Sequence, residues 1–365
     1  MKITLTNHIF WLILLFATYR LQSQCTAPFT KVDKSTYMFD GGQSHFIESR
    51  PVTSMKVGRK NIAAYSTSTD GLKVYQNGQV YETPVNESKI CMTDNWLLYQ
   101  CYTDIRLWSD TGFITLETQF RQGIDTLFYG DSIIAWSNTM GDWSVYYNGE
   151  IQVIERLKIR KAAATDNLFV YIDYLGMLKV FYQGQIQTLE TFTPELVGFN
   201  RDLVVYKDQY DNMKFFQDGV VHETNLPVTS YFFTGEGFAV YLTPQNEFVV
   251  YYKGEQTVLI QDKPVKLLVK ENLIAYTDKG NNFWCWYKGQ KYWLERYVPL
   301  SYKADNDMLV YQDLDGRLKA FYYGEQVQVS NQIVKSYDLY NEAVTYSLEP
   351  FQTKVWCNKQ TFTFE

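Results

Sequence analysis

The 365-residue sequence predicts an all-β protein in which one short unit, about 35 residues long, recurs nine times. Three observations predict it. Aromatics make up 17% of the chain, with 30 Tyr and 23 Phe, and beside frequent Val, Ile and Thr this is the composition of strands. Sequence markers recur in phase along almost the whole chain. One strand is a continuous apolar run in copy after copy, the signature of a sheet covered on both faces.

The first marker is an aromatic closing an apolar run, at Tyr65, Tyr99, Trp136, Tyr171, Tyr206, Tyr241, Tyr276, Tyr311 and Tyr346. Thirteen residues after each comes Gly78, Gly112, Gly149, Gly184, Gly219, Gly254, Gly289 and Gly324, with Lys359 in the ninth place. A third marker, ten residues after the anchor, is Tyr75, Tyr146, Phe181, Phe216, Tyr251, Trp286, Phe321 and Trp356, the second copy having Trp108 one place early. Upstream, Thr36 to Gly42 matches only the second half of the unit, with Phe39 and Gly42 in the aromatic and glycine places. The expected organisation is a leader over 1–23, an N-terminal extension over 24–35 and one domain over 36–365. That domain is a half-unit at 36–50 followed by nine repeats.

Each unit divides into four strands, A to D, as the copy from Pro194 to Asn225 illustrates. Strand A is Leu196 to Phe199, and the polar turn Asn200-Arg201-Asp202 leads into strand B, Leu203 to Tyr206. A loop from Lys207 to Asn212 precedes strand C, Met213 to Gln217. The pair Asp218-Gly219 then turns the chain into strand D, Val220 to Thr224. Asn148-Gly149 and Lys253-Gly254 fill the same C–D turn elsewhere, where a two-residue hairpin loop demands positive φ. The residue four before each anchor is nearly always a turn-former, as in Asn95, Asn167, Asp202, Asn272 and Asp307.

Strand B decides how units stack. Runs such as Leu168-Phe169-Val170 and Leu273-Ile274-Ala275 have no polar face, so each small sheet must be sandwiched between neighbours. Radial stacking closes such a series and protects its edges. The chain over 36–365 thus resembles the β-propeller superfamily at the level of architecture. The resemblance implies a ring of about nine four-stranded blades, the alternatives being an open β-solenoid or an eight-bladed ring. The WD, YWTD, kelch and aspartate-box signatures of named propeller families do not recur.

The N-terminus predicts export. Lys2 precedes the apolar run Ile9 to Ala17, and Ser23 offers a small residue for cleavage, the pattern of a secretory leader too short to span a bilayer. Gln24, bulky before Cys25, argues against lipidation. Cleavage after Ser23 removes Lys2 and Arg20 and no acid, taking the formal charge from −6 to −8. The expected protein is then a monomer with no membrane span, in the envelope or outside the cell. Export permits disulfides among the five cysteines, and Cys25 with Cys357 is the candidate pair because the two ends of a closed ring meet. The sequon Asn86-Glu87-Ser88 matters only in a eukaryotic secretory pathway.

The chemistry-bearing residues are sparse. No basic block is dense enough to neutralise a row of phosphates, which excludes nucleic acid as a partner. No CxxC spacing occurs and only His45 and His222 follow the leader, so neither a metal site nor a histidine-dependent nucleophile is expected, and no cofactor. Asp313-Leu314-Asp315-Gly316 starts like a calcium loop, but no bidentate glutamate follows at the required distance. The B–C loops vary in composition and share a face with the D–A connections, so that face is the candidate binding surface for a protein or carbohydrate ligand. Its candidate residues are Asp142, Asp173, Asp208, Asp278 and Asp313, within a larger set of loop acids that includes Asp70, Asp104, Asp211, Glu247 and Asp315. Asp173, Asp208 and Asp313 also stand six residues before Lys179, Lys214 and Lys319, which predicts cross-strand ion pairs. The aromatics at repeated positions read as blade packing, whereas Trp143, Trp284 and Trp293 lie off those positions. The function expected is that of a secreted, non-enzymatic binding or scaffold module. The alternative is a carbohydrate-active hydrolase or lyase with paired carboxylates around the axis.

Overall fold

The computed structural model describes residues 25–364 apart from 53, 60, 68–70, 84–89, 110–111, 121–126, 228–230 and 349–351. The leader, Asp70, the 86–88 sequon and the bend at 349–351 lie outside the described residues.

The units form ten antiparallel sheets, nine of four strands and one of three. Blade 1 spans 26–48, followed by blades 2 (54–82), 3 (90–117), 4 (128–155), 5 (161–190), 6 (196–227), 7 (232–260), 8 (266–295), 9 (301–333) and 10 (336–364). The count of about nine is thereby corrected to ten. The half-unit at 36–50 supplies two strands of the first blade. It joins Thr26–Thr30, from the stretch read as an extension, into a blade of its own holding strands B, C and D.

Strand B explains the stacking residue by residue. In Leu168–Ile172 of blade 5, Leu168, Val170 and Ile172 pack with Val204, Tyr206 and Phe216 of blade 6. The alternate residues Phe169 and Tyr171 pack with Ile133, Ala135 and Val145 of blade 4. A period of two thus feeds two different cores, one on each face of the sheet. The third marker serves the same interface. Phe181, Phe216, Trp286, Phe321 and Trp356 each receive the edge of a tyrosine from the preceding blade, with ring centroids 5.3–5.8 Å apart and planes at 78–89°. Edge-to-face pairs of this kind contribute about 0.5–1.5 kcal/mol each beyond burial.

The C–D turns have the predicted conformation. Both central residues carry positive φ, for example Asn148 (49°) and Gly149 (86°), or Asp218 (50°) and Gly219 (83°), as a type I′ turn requires. Lys359 adopts the same geometry at 63° without glycine's freedom.

A second device ties blades together near their outer strands. Glu48, Glu155 and Glu295, ending strand D of blades 1, 4 and 8, each accept a bond from the next blade's anchor tyrosine (Tyr65, Tyr171, Tyr311) at 2.9–3.4 Å. Each also accepts one from a strand C lysine (Lys73, Lys179, Lys319) at 2.7 Å. Lys214 makes the same contact to Glu190 at 2.8 Å.

The ring closes through packing and a covalent bond. Ala27, Phe29 and Phe39 of blade 1 share a core with Ala343 and Val355 of blade 10, and Cys25 is bonded to Cys357. Met38 and Ile47 pack on the other side against Ala63, Tyr65 and Tyr75 of blade 2.

Candidate binding face

On the B–C face the loops share one bend. In blades 4 to 9, Asn138, Asp173, Asp208, Thr243, Asp278 and Asp313 each donate their backbone N–H to the carbonyl four residues on. The residue three places on takes positive φ: Gly141, Gly176, Asp211, Asn246, Asn281 or Gly316. The first side chain caps the bend, since Asp208 Oδ1 accepts from the N–H groups of Tyr210 and Asn212 at 2.7 and 2.9 Å, and Asp278 and Asp313 repeat the pattern. Asp173 accepts from Met177 N–H at 2.9 Å. Burial alone would raise these carboxyls, but the hydrogen bonds they accept hold Asp173, Asp208 and Asp278 below the usual range. Asp142 differs, for it stands at the end of its bend and Asn138 does the capping. The apparent variability of these loops therefore conceals one repeated geometry, and four of the five acids singled out are held by their own backbone.

The predicted lysine pairs are formed in part. Lys179 sits 3.0 Å from Asp173 and Lys319 3.9 Å from Asp313, while Lys214 is taken by Glu190 and Glu223. Trp143 packs against Phe128 and Phe169. Trp293, 48% exposed, stacks on Trp284 and lies under the Arg296 guanidinium. His222 lies on outer strand D opposite Phe215.

The feature that breaks the repeat lies at blade 1. A strands of adjacent blades approach one another most closely, which puts them on the axis. Among the described residues blade 1 has no A strand, and the inner edge of Thr26–Thr30 looks into a gap between Ser54–Val57 of blade 2 and Ser336–Tyr340 of blade 10. The gap is a cleft of about 450 Å³ whose walls include Phe29, Thr30, Met55, Tyr337, Tyr340 and Thr353. It opens on the B–C and D–A face. At the opposite end it is bridged, because Asn341 of blade 10 donates to the Gly58 carbonyl of blade 2 at 3.2 Å, bypassing blade 1.

That bridge completes a circle of A–B turns. Arg59 N–H bonds Asp94 O, Asp94 N–H bonds Asp131 Oδ1, Ser132 N–H bonds Asp166 O and Thr165 bonds Arg201 O. Asn200 reaches Thr234, Glu236 reaches Glu271, Asn272 reaches Asp307, and Asn341 N–H reaches Asp305. Sequence reasoning missed the acids in this circle, although the column five before the anchors (Asp94, Asp131, Asp166, Glu236, Glu271) is visible. Burial, then the charge of Asp131, pushes Asp94 up to about 6 and Asp166 up to about 7, against the opposing pull of Arg59 and Arg201. No group of three acids, histidines or cysteines among the described residues is placed to hold a metal ion. Among the described residues no helix is long and apolar enough to cross a membrane.

Comparison with known proteins agrees on architecture. The family model described as a 10-bladed beta propeller domain matches residues 20–362. No curated protein matches the chain. Among solved structures, the computationally designed Ika8 protein is similar at 17% identity over 84% of this chain and 96% of its own, with a TM-score of 0.33. PorZ, a type-IX secretion component of Porphyromonas gingivalis, is similar at 8% identity over 94% of this chain and 59% of its own, TM-score 0.31. Hsv2p of Kluyveromyces lactis is similar at 15% identity over 65% and 92%, TM-score 0.34.

Proposed function

The chain belongs to the 10-bladed β-propeller domain family, and from that premise we propose that it is an exported, non-enzymatic binding module whose ligand, protein or glycan, docks on the B–C and D–A face. One observation carries this reading: the cleft of about 450 Å³ at blade 1, in the size range of ligand sites and bridged at its far end by Asn341 and Gly58. In blades 4 to 9 the face is a regular array of capped bends, which suits a rigid frame around one binding position. The test is to cross-link the purified protein to an extract of its own cell envelope, to probe a glycan array in parallel, and to map the contacts. Contacts at residues lining the cleft support the reading; contacts confined to the A–B and C–D face refute it. Mass analysis of the exported protein should find Gln24 as the first residue, and a retained leader would remove the export part of the proposal.

A second reading rests on the raised carboxyls of Asp94 and Asp166 around the axis, the setting a general acid needs. It is the reading of a carbohydrate-active enzyme on the opposite face. Hydrolysis or lyase activity that is lost in Asp166→Asn and kept when the cleft is blocked would select it.

A further inference from the structure

Resting on the binding-face reading, we infer that the ligand is an extended polypeptide that enters blade 1 as its missing inner strand. The open edge prescribes the partner. The Cys25 carbonyl and the Lys31 N–H are both turned toward strand C, to Gly41 and Ser35. Alternation along a strand then turns the backbone groups of Thr26, Pro28 and Thr30 the other way, into the gap. The Thr30 carbonyl takes the Thr353 hydroxyl at 3.1 Å. Thr26 is buried and does not line the cleft. What remains facing it is the Thr30 N–H and the Pro28 carbonyl, and no strand among the described residues pairs with them.

Nine other blades show what fills this place: an antiparallel segment of between two residues (Phe128–Tyr129) and five (Leu196–Asn200). By the same spacing, the chain's own strand A of blade 1 would fall at residues 19–22, inside the stretch expected to leave with the leader. The exported protein then lacks the strand that its repeat calls for. A polypeptide fits better than a glycan because the edge presents main-chain groups every second residue, about 7 Å apart, a period that another strand's backbone matches. The walls specify side chains. Hydroxyls of Thr30, Ser54 and Thr353 alternate with Phe29, Tyr337 and Tyr340, and the lining carboxylate Asp338 is paired with Lys303, so uncharged, small or aromatic side chains are favoured. Pro28 removes one donor from the middle of the edge, which discourages pairing with a second copy while leaving an acceptor for a peptide.

The test uses the chain over 24–365, a displayed random heptapeptide library, and the enriched peptides as probes in fluorescence anisotropy. Expected is a tenfold or greater loss of affinity when alternate peptide amides are N-methylated, and under threefold when the intervening ones are. Ser54→Arg, which fills the cleft mouth, should abolish binding with the melting temperature kept. Peptide binding that is insensitive to N-methylation yet lost in Ser54→Arg overturns strand addition and leaves the binding face standing. So does a glycan ligand competed by Ser54→Arg when no peptide is enriched. Ligands indifferent to Ser54→Arg, or none of either class, overturn both.

Discussion

Glu295 holds Tyr311 and Lys319 of the next blade at 2.9 and 2.7 Å, and its side chain is 12% exposed against 23% for the lysine. Replacing it by glutamine keeps the shape and removes the charge, leaving a largely covered ammonium with only the more distant carboxylate of Asp313, 3.9 Å away. Hydrogen bonds to charged groups of this sort are worth about 1.5–3 kcal/mol, so Glu295→Gln should lower unfolding free energy by about 2 kcal/mol in urea titration. Glu325→Gln, at an exposed pair with Lys359, should leave the midpoint where it is. The clamp was half legible in sequence. Lys179 and Lys319 were paired with Asp173 and Asp313 within their own hairpin, which a six-residue spacing reveals. Their second partners, Glu155 and Glu295, lie 24 residues upstream in another blade, where no local spacing rule reaches.

At the scale of the element, the turns carry two predictions. Lys359 stands in the turn place that the nine other blades give to glycine, with φ 63°. A side chain in that region costs about 1 kcal/mol, so Lys359→Gly should stabilise the protein by about that amount, read as a higher midpoint in the same titration. The A–B circle predicts a pH dependence. Folding lifts Asp94 to about 6 and Asp166 to about 7, from a value of 3.8 in the unfolded chain, chiefly through burial and then through Asp131. Between those limits the folded state retains protons that the unfolded state has released, so stability falls as pH rises from about 4 to 7. Melting temperatures across that range should descend less steeply in Asp131→Asn, which keeps the Oδ1 acceptor for Asp94 N–H and deletes the charge. The C–D turns were readable because positive φ at two consecutive residues selects Asn-Gly and its kin. The acids five before the anchors read as ordinary turn-formers, since nothing in one turn announces that nine such turns converge on an axis.

For the whole molecule, the stacking of double-faced sheets was legible from strand B, and the ring from the stacking. The tenth blade was not, because its strand B falls in the stretch expected to be an extension and has Phe29 and Thr30, not tyrosine or tryptophan, around the anchor place. The cleft was invisible for the same reason: it lies along the edge of Thr26–Thr30, with which no strand among the described residues pairs on the inner side. This geometry puts the closure of the ring on blade 1, which borders the gap and is fastened to blade 10 by Cys25–Cys357 across 332 residues. Linking such distant residues removes much of the unfolded chain's freedom, a contribution of several kcal/mol, and here it also holds the two ends of a ring that no strand exchange closes. Cys357→Ser should therefore lower stability by about 3 kcal/mol or more. Hydrogen exchange should accelerate first at Thr26–Thr30 and Ser336–Tyr340, while Leu168–Ile172, between complete blades, stays protected. Uniform acceleration around the circle would mean that closure is shared by all ten interfaces. A peptide seated in the cleft should restore protection to Thr26–Thr30 in the same variant, since the added strand would supply across the gap the hydrogen bonds that the open edge lacks.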